Sequence, residues 1–247
     1  MKKLLILVFL NIGLYAGVIN VALAANVSYA IDALKAAFEK QHPQITIHTT
    51  LGGSGKLTAQ IFRGAPYDIL MSADMKYPQA LYEKGLSFTK PRVYAQGSLA
   101  LFSSRARDFS QGLHILTQSR IKRIAIANPK TAPYGKASVE ALKNAGLYKA
   151  LKHKFVYAES ISQTVAYAVT AADIGLIAKS SLYCKKMKVY TQNKHWIEID
   201  SQLYTPIQQG IIILKQGQNN PEVQAFYEFI LGPEAKKIFK EYGYQVL

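Results

Sequence analysis

The sequence predicts an α/β protein built from two strand-and-helix blocks of similar size. Strand-like and helix-like segments alternate along the whole chain, which is typical of mainly parallel sheets flanked by helices. The two blocks lie at about residues 17–97 and 98–203. Residues 204–247 contain too few strands to form a third block, so we expect them to return and pack on the first. We therefore predict one lobe of residues 17–97 plus 204–247 and a second lobe of residues 98–203.

The first block opens with an apolar run that predicts a strand, and an amphipathic helix follows it. In that helix Ala30, Leu34 and Phe38 recur at the spacing of a single helical face, and Pro43 ends it. The next strand alternates apolar and polar residues, and a glycine-rich turn leads into a second helix. The predicted elements are strand 18–23, helix 29–40, strand 45–50, helix 56–63, strand 67–71 and helix 74–84.

The second block continues the alternation, and Gly146 ends its first helix. Its predicted elements are strand 98–103, strand 124–127, helix 136–145, strand 154–157, helix 162–170, strand 174–178 and strand 196–199. The final segment carries strand 209–214 and helices 222–230 and 233–242. No internal repeat or low-complexity linker interrupts this order.

The first sixteen residues have the pattern of a signal peptide. Lys2 and Lys3 precede an apolar run that is too short for a membrane span of about 20 residues. Small residues allow cleavage after Ala16 or after Ala24, and we favour Ala16 because the later cut would remove the first strand. We therefore expect a periplasmic protein that does not itself span the membrane. Cys184 is the one cysteine, so an internal disulfide is excluded, and no cysteine near the cleavage site indicates a lipid anchor.

The chain is strongly basic, with 30 Lys and Arg against 15 Asp and Glu, a formal charge of +15. Such a positive charge is typical of nucleic-acid-binding proteins. The basic residues are spread in small clusters, however, and no nucleic-acid motif accompanies them. We interpret the excess as a lysine-rich surface and expect no nucleic-acid partner. A composition that is 49% hydrophobic and 18% charged also excludes a disordered chain.

Four loops share one design, in which a strand ends and a helix begins. They contain Ala24–Asn26, Gly52–Lys56, Ala132–Gly135 and Glu159–Ser162. Each exposes backbone N–H groups at a helix N-terminus, which favours anions. In open α/β sheets such loops lie together at the carboxyl ends of the strands. Two loops come from each block, so their convergence on a single cleft would suit a small dianion.

Catalytic and nucleotide-binding alternatives have weaker support. Gly52–Lys56 resembles a phosphate loop, but Thr50 and Leu57 stand where the ATP-binding motif needs Gly and Ser or Thr. The five histidines are scattered without metal-ligand spacing, and no nucleophile elbow is present. We therefore predict no catalytic residue, no cofactor and no direct metal ligand. An exported hydrolase and a basic nucleic-acid or surface-binding protein stay open as alternatives.

These loops, in this order, resemble the periplasmic molybdate-binding proteins of ABC importers. The resemblance covers essentially the whole mature chain, and the block of residues 64–74 is its most specific part. The segments that carry it are 21–26 (VALAAN), 52–61 (GGSGKLTAQI), 64–74 (GAPYDILMSAD), 133–135 (PYG), 159–163 (ESISQ), 226–227 (FY) and 231–233 (LGP). It implies a two-lobe type II periplasmic binding protein fold with the ligand in the interlobe cleft.

The resemblance also implies the ligand contacts. Carried over position by position, they are Ala25, Asn26, Ser54, Tyr134 and Ile161. Tyr134 and Ile161 would act through their backbone N–H groups. Many members have Ser in place of Asn26, and some have a contacting Tyr where this chain has Ala178. We expect the side-chain NH₂ group of Asn26 to compensate for that missing contact.

A tetrahedral oxyanion that is fully deprotonated only accepts hydrogen bonds, so its site needs only donors. Hydroxyls, an amide and backbone N–H groups meet this need without a buried counter-charge. Glu159 is the one carboxylate in the four loops, and we expect it to point away. The resemblance implies molybdate or tungstate as ligand, with sulfate as the alternative. It further implies delivery to an importer permease and its ATPase by a monomeric protein.

Overall fold

The computed structural model describes residues 17–246, and the predicted signal peptide, residues 1–16, lies outside them. The described chain forms two five-stranded sheets with helices packed against their faces. The chain passes between the sheets twice, between Gly97 and Leu99 and between Glu198 and Ile207. This architecture confirms the predicted α/β class with two lobes. None of the helices of residues 17–246 is long and apolar enough to cross a bilayer.

The first sheet has the strand order β2-β1-β3-β10-β4. Its strands are β1 (Gly17–Ala24), β2 (Ile45–Gly52), β3 (Ile69–Ser72), β4 (Arg92–Gly97) and β10 (Ile207–Ile213). β1 pairs in parallel with β2 and β3, whereas β10 runs antiparallel to β3 and β4. The sheet is therefore mixed and not mainly parallel as expected, because β10, which returns from the other sheet, runs antiparallel to both of its neighbours. The parallel strands β1 and β2 end at the same edge.

The second sheet has the order β7-β6-β8-β5-β9. Its strands are β5 (Leu99–Phe102), β6 (Ile124–Ala127), β7 (Phe155–Ala158), β8 (Ile174–Ala178) and β9 (Trp196–Glu198). β6 pairs in parallel with β7 and β8, and β5 is antiparallel to β8 and β9. β5, β6 and β8 are buried along their whole length, which explains their continuous apolar sequences.

The helices in chain order are α1 (Ile31–Gln41), α2 (Ser54–Phe62), α3 (Lys76–Glu83), α4 (Pro133–Asn144), α5 (Tyr148–Leu151), α6 (Ile161–Thr170), α7 (Pro221–Leu231) and α8 (Pro233–Glu241). We call the first sheet with α1–α3, α7 and α8 the first lobe, and the second sheet with α4–α6 the second lobe. In the first lobe, Phe38 of α1 packs edge-on against Phe226 of α7 with ring centroids 5.1 Å apart. Burial of each such ring contributes about 1.5–3 kcal/mol.

The main element that sequence patterns missed is β4. Its residues, Arg92–Gly97, contain no long apolar run, and only Tyr94, Ala95 and Gly97 are buried. The strand forms because it pairs with β10, which comes more than a hundred residues later, and because Gln96 forms an isolated bridge with Gln245. Local periodicity cannot reveal a strand whose stability depends on such distant partners.

Candidate functional site

A small cavity lies between the lobes, where the loops after β1, β2, β6 and β7 meet. It encloses about 190 Å³ of space between the atoms, including its opening. Ala25, Asn26, Ser54, Tyr134 and Ile161 all line it, so the structure brings the five residues singled out in the sequence to one place. The remaining lining residues are small or apolar: Ala24, Gly52, Gly53, Ala73, Ala132 and Pro133.

Each of the four loops brings the start of a helix to this cavity. Ser54 and Ile161 are the first residues of α2 and α6, and Asn26 is the second residue of a 3₁₀ turn over Ala25–Tyr29. Tyr134 follows Pro133 in α4, and since proline has no N–H, Tyr134 supplies the first donor of that helix. Within residues 17–246, the backbone N–H groups of Asn26, Ser54, Tyr134 and Ile161 have no protein acceptor. They are therefore available to a bound acceptor.

The hydroxyl of Ser54 is oriented by the segment that follows β3. Its oxygen accepts a hydrogen bond of 2.9 Å from the backbone N–H of Ala73. That contact occupies a lone pair and leaves the hydroxyl hydrogen free to donate elsewhere. Ser54 is buried from solvent, yet it lines the cavity. Ser54 thus offers both a backbone N–H and a hydroxyl donor.

The second lobe positions its two helix starts by close packing and by a cap. A Cβ at Gly135 would overlap the carbonyl group of Ala127, so only glycine lets α4 begin this close to the end of β6. At α6, the Ser160 hydroxyl accepts a hydrogen bond from the backbone N–H of Gln163. Ser160 therefore acts as the helix cap, and the Ile161 N–H remains unpaired.

The side-chain NH₂ group of Asn26 is paired within the protein. Its Nδ2 donates to Gln209 Oε1 and to the Tyr244 hydroxyl oxygen, both at 2.8 Å. The expectation that the Asn26 NH₂ group reaches the ligand is therefore wrong, because both of its hydrogens already have protein acceptors. Ala178 is fully buried at the end of β8 and is not among the cavity residues. The candidate contribution of Asn26 is its backbone N–H.

The lobes also touch each other directly beside the cavity. The backbone N–H of Gly55 donates to the Thr131 carbonyl oxygen at 2.9 Å, and the Tyr77 hydroxyl donates to the Lys130 carbonyl at 3.4 Å. Lys56 and Glu159 form an exposed ion pair of 3.3 Å across the mouth. Glu159 is not a lining residue, and its carboxylate has a cationic partner. The structure thus shows the lobes in a closed arrangement.

The lining of the cavity carries no charged side chain. Tyr134 is the one titratable residue there, and burial raises the pKa of its phenol well above the ordinary value, so it is neutral at physiological pH. Among residues 17–246, no three His, Cys, Asp or Glu side chains cluster in a way that could hold a metal ion. The arrangement therefore offers neutral donors and the N-termini of α2, α4 and α6 to an acceptor.

Comparison with known proteins agrees with this geometry. Residues 19–245 match the protein family described as "Bacterial extracellular solute-binding protein". The chain belongs to this family. A molybdate-binding protein of Azotobacter vinelandii is 36% identical to this solute-binding protein over 93% of this chain and 90% of its own length. A molybdate-binding protein of Rhodobacter capsulatus is 34% identical over 93% of this chain and 88% of its own.

This solute-binding protein also resembles solved structures in its fold. The periplasmic molybdate-binding protein of Azotobacter vinelandii matches with a TM-score of 0.86 and 30% identity, covering 93% of this chain and 99% of that one. A sulfate-binding protein of Mycobacterium tuberculosis matches with a TM-score of 0.75 at 14% identity, covering 94% of this chain and 87% of that one, which shows a shared fold only. The family resemblance inferred from the sequence is thereby confirmed.

Three residues around the site were not found by sequence analysis of this solute-binding protein. Ala73 orients Ser54, and Gln209 and Tyr244 hold Asn26. Ala73 lies within the block of residues 64–74 that carried the resemblance. That block marked the segment as characteristic of the family, but it did not predict what Ala73 does. Gln209 and Tyr244 lie far along the chain in segments without any site-like pattern, so no local signal pointed to them.

Proposed function

We propose that this protein captures molybdate or tungstate in the periplasm and delivers it to an ABC importer permease with its ATPase. The observation that carries the proposal is the convergence of four unpaired backbone N–H groups and the Ser54 hydroxyl on one uncharged cavity. The names of the two relatives that are 36% and 34% identical support molybdate as the ligand. The five contacts are Ala25, Asn26, Ser54, Tyr134 and Ile161.

The donor set suits a fully deprotonated oxyanion. Such an anion only accepts hydrogen bonds, and every polar group proposed to contact it donates one. A protonated oxyanion would also need an acceptor, and the lining offers no carboxylate for that purpose. The dianion would be stabilised by charge-assisted hydrogen bonds and by three helix N-termini, without the desolvation cost of a buried cation. Discrimination against sulfate would then depend on the size of the closed cavity.

Binding between two lobes also suits transport rather than catalysis. The cavity offers neutral donors to a ligand and has no pair of nucleophile and general base in its lining, so we propose a binding protein and not an enzyme. The family resemblance supports a monomer. Lobe opening would release the anion at the permease. The export step rests on the sequence pattern of residues 1–16.

A thermal-shift panel tests the proposal. Molybdate, tungstate, sulfate and phosphate are each added to the purified mature protein, and calorimetry follows on those that respond. At a ligand concentration of about 100 times the Kd, we expect molybdate and tungstate to raise the Tm by about 5–10 °C. Sulfate and phosphate should have little effect. A protein that responds to sulfate and not to molybdate would make the sulfate alternative correct, and no response to any oxyanion would reject the proposed class.

A further inference from the structure

The orientation of the Gln209 side chain is set by its own neighbours. Its Nε2 donates to the carbonyl oxygens of Ile207 at 2.8 Å and of Ala73 at 3.4 Å. Carbonyl oxygens only accept hydrogen bonds, so the NH₂ end of Gln209 must face them. Its Oε1 is therefore the end that faces Asn26. Gln209 is fully buried and is not a cavity residue.

This orientation determines that of Asn26 in turn. An acceptor at Gln209 Oε1 requires the NH₂ end of Asn26 opposite it, at 2.8 Å. The second Asn26 hydrogen goes to the Tyr244 hydroxyl oxygen, whose own hydrogen is donated to the backbone carbonyl of Asn26 at 2.9 Å. Ser180 donates to the same carbonyl at 3.2 Å. The amide hydrogens of Asn26 are thus both used inside the protein.

These contacts fix the backbone of Asn26 from behind the cavity. Tyr244 bonds both the side chain and the carbonyl oxygen of Asn26, so the peptide group between Asn26 and Val27 can rotate little without breaking buried hydrogen bonds. The Asn26 N–H belongs to the preceding peptide group, which shares the Asn26 Cα and whose Ala25 carbonyl oxygen accepts from the Ser28 hydroxyl at 2.7 Å. Tyr244 is itself anchored, since its ring packs edge-on against Phe239 and the next residue, Gln245, pairs with Gln96. The C-terminal segment of the chain therefore holds a loop at the end of the first strand.

We infer that Gln209 and Tyr244 are positioning residues that aim the Asn26 backbone N–H at the oxyanion and so set the affinity and selectivity of the site. The inference rests on the proposed function, and it assigns to Asn26 a backbone contact in place of a side-chain contact. Neither Gln209 nor Tyr244 touches the ligand. Their effect passes through the 3₁₀ turn of Ala25–Tyr29.

The chain offers a matched pair of tyrosines for the test. Tyr94 and Tyr244 are both buried, and both rings pack against Phe239. Within residues 17–246, the Tyr94 hydroxyl forms a hydrogen bond only to the Ser72 carbonyl, at 3.5 Å, whereas the Tyr244 hydroxyl bonds both the side chain and the carbonyl of Asn26. Tyr244→Phe and Tyr94→Phe therefore remove the same atom from similar surroundings. Gln209→Met is a third variant, which removes the acceptor for Asn26 while keeping the side-chain length.

Two measurements are made on the full mature chain. Calorimetry with molybdate and sulfate gives the affinities, and amide hydrogen exchange without ligand reports on residues 22–30. We expect Tyr244→Phe to raise the molybdate Kd by about 3- to 30-fold and Tyr94→Phe to change it by less than about 2-fold. Exchange in residues 22–30 should become faster in Tyr244→Phe and Gln209→Met only. The molybdate-to-sulfate affinity ratio should fall in the same two variants.

The inference is overturned if Tyr94→Phe and Tyr244→Phe have equal effects on the Kd, since a general loss of packing would then explain both. It is also overturned if Tyr244→Phe and Gln209→Met leave both the Kd and the exchange of residues 22–30 unchanged. A wild-type chain that fails to bind molybdate contradicts the proposed function instead. The exchange measurement needs no ligand, so it decides the positioning role in that case as well.

Discussion

The oxygen of the Ser54 side chain accepts a hydrogen bond of 2.9 Å from the backbone N–H of Ala73, and the two residues lie on opposite sides of β3 in the chain. The carbonyl oxygen of Ala73 accepts in turn from Gln209. One residue without a functional side chain thus connects the Ser54 hydroxyl to the group that holds Asn26. Because the Ala73 N–H occupies the oxygen of Ser54, the hydroxyl hydrogen can donate toward the cavity.

The first prediction tests that donor. Ser54→Ala should weaken molybdate binding by about 10- to 150-fold, because a hydrogen bond to a charged group contributes about 1.5–3 kcal/mol. Calorimetry measures the change. Ser162→Ala is the control, since Ser162 lies in the first turn of α6, beside the cavity residue Ile161, but does not itself line the cavity. Equal affinities for wild type and Ser54→Ala would reduce the hydroxyl to an acceptor for Ala73.

A second prediction concerns lobe closure at Gly55. A Cβ at this position would lie 3.0 Å from the Thr131 carbonyl oxygen of the second lobe, to which Gly55 donates across the lobes. It would also lie 2.6 Å from the Tyr77 hydroxyl, which is the movable end of a side chain in the same lobe as Gly55. Gly55→Ala should therefore weaken molybdate binding by at least about 10-fold. Alanine also favours a helix over glycine by up to about 1 kcal/mol, so the ligand-free protein should be as stable as wild type or more stable.

Urea unfolding and calorimetry measure the two effects of Gly55→Ala separately. Lys56→Ala is its control, because Lys56 belongs to the same turn of α2 and forms only an exposed ion pair with Glu159. That variant should bind molybdate nearly as well as wild type. If Gly55→Ala bound molybdate normally, close backbone approach at this glycine would not be needed for closure.

Salt separates the site chemistry from the general charge of the protein. Removal of residues 1–16 takes the formal charge from +15 to +13, because Lys2 and Lys3 are lost. Surface lysines are screened over about 10 Å at 0.1 M salt, whereas the donors in the closed cavity are not. Stopped-flow titration up to about 0.5 M sodium chloride should show slower association and a modest loss of affinity. A steep collapse, with sulfate and phosphate competing equally, would favour a basic surface patch instead.

The stability of the protein should depend on pH through its buried tyrosines. Burial raises the pKa of Tyr244 from its ordinary value near 10 to about 12, and raises those of Tyr94 and Tyr134 as well. The unfolded chain then loses these phenolic protons first. Their contribution to the free energy of unfolding is complete below about pH 10 and is lost as the pH rises through about 12.

Urea unfolding between about pH 8 and pH 12 tests this dependence. The loss of stability should be smaller in Tyr244→Phe than in wild type, since that variant has one fewer buried phenol. If the folded protein showed all of its phenols ionising near pH 10, the tyrosines would be accessible to solvent and the prediction would be wrong.

The mature N-terminus is expected to be Gly17. β1 begins at Gly17 and pairs with both β2 and β3, so cleavage after Ala24 would remove a strand from inside the sheet. It would also free the Ala25–Asn26 turn from the strand that places it. Mass spectrometry of the periplasmic protein identifies the first residue. Ala25 as the first residue would show that the sheet forms without β1.

The sequence by itself determined the backbone chemistry of the site. Strand, loop and helix follow each other locally, so the patterns around Ser54, Tyr134 and Ile161 predicted helix starts with unpaired N–H groups. Such features depend on neighbouring residues, and local periodicity and end signals report on them. The predicted helix after Tyr134 began at residue 136, however, and only the structure places its start at Pro133, which makes Tyr134 its first donor.

Only the tertiary structure decided which side chains remain available to a ligand. The NH₂ group of Asn26 is paired with Gln209, 183 residues away, and with Tyr244, 218 residues away. β4 likewise depends on the distant strand β10. A polar side chain can donate to a ligand only if no buried neighbour has taken its hydrogens, and those neighbours are set by the packing of remote segments. The sequence pattern carries no record of that packing, which is why it indicated that Asn26 lies at the cavity but not that the hydrogens of its side-chain amide are paired within the protein.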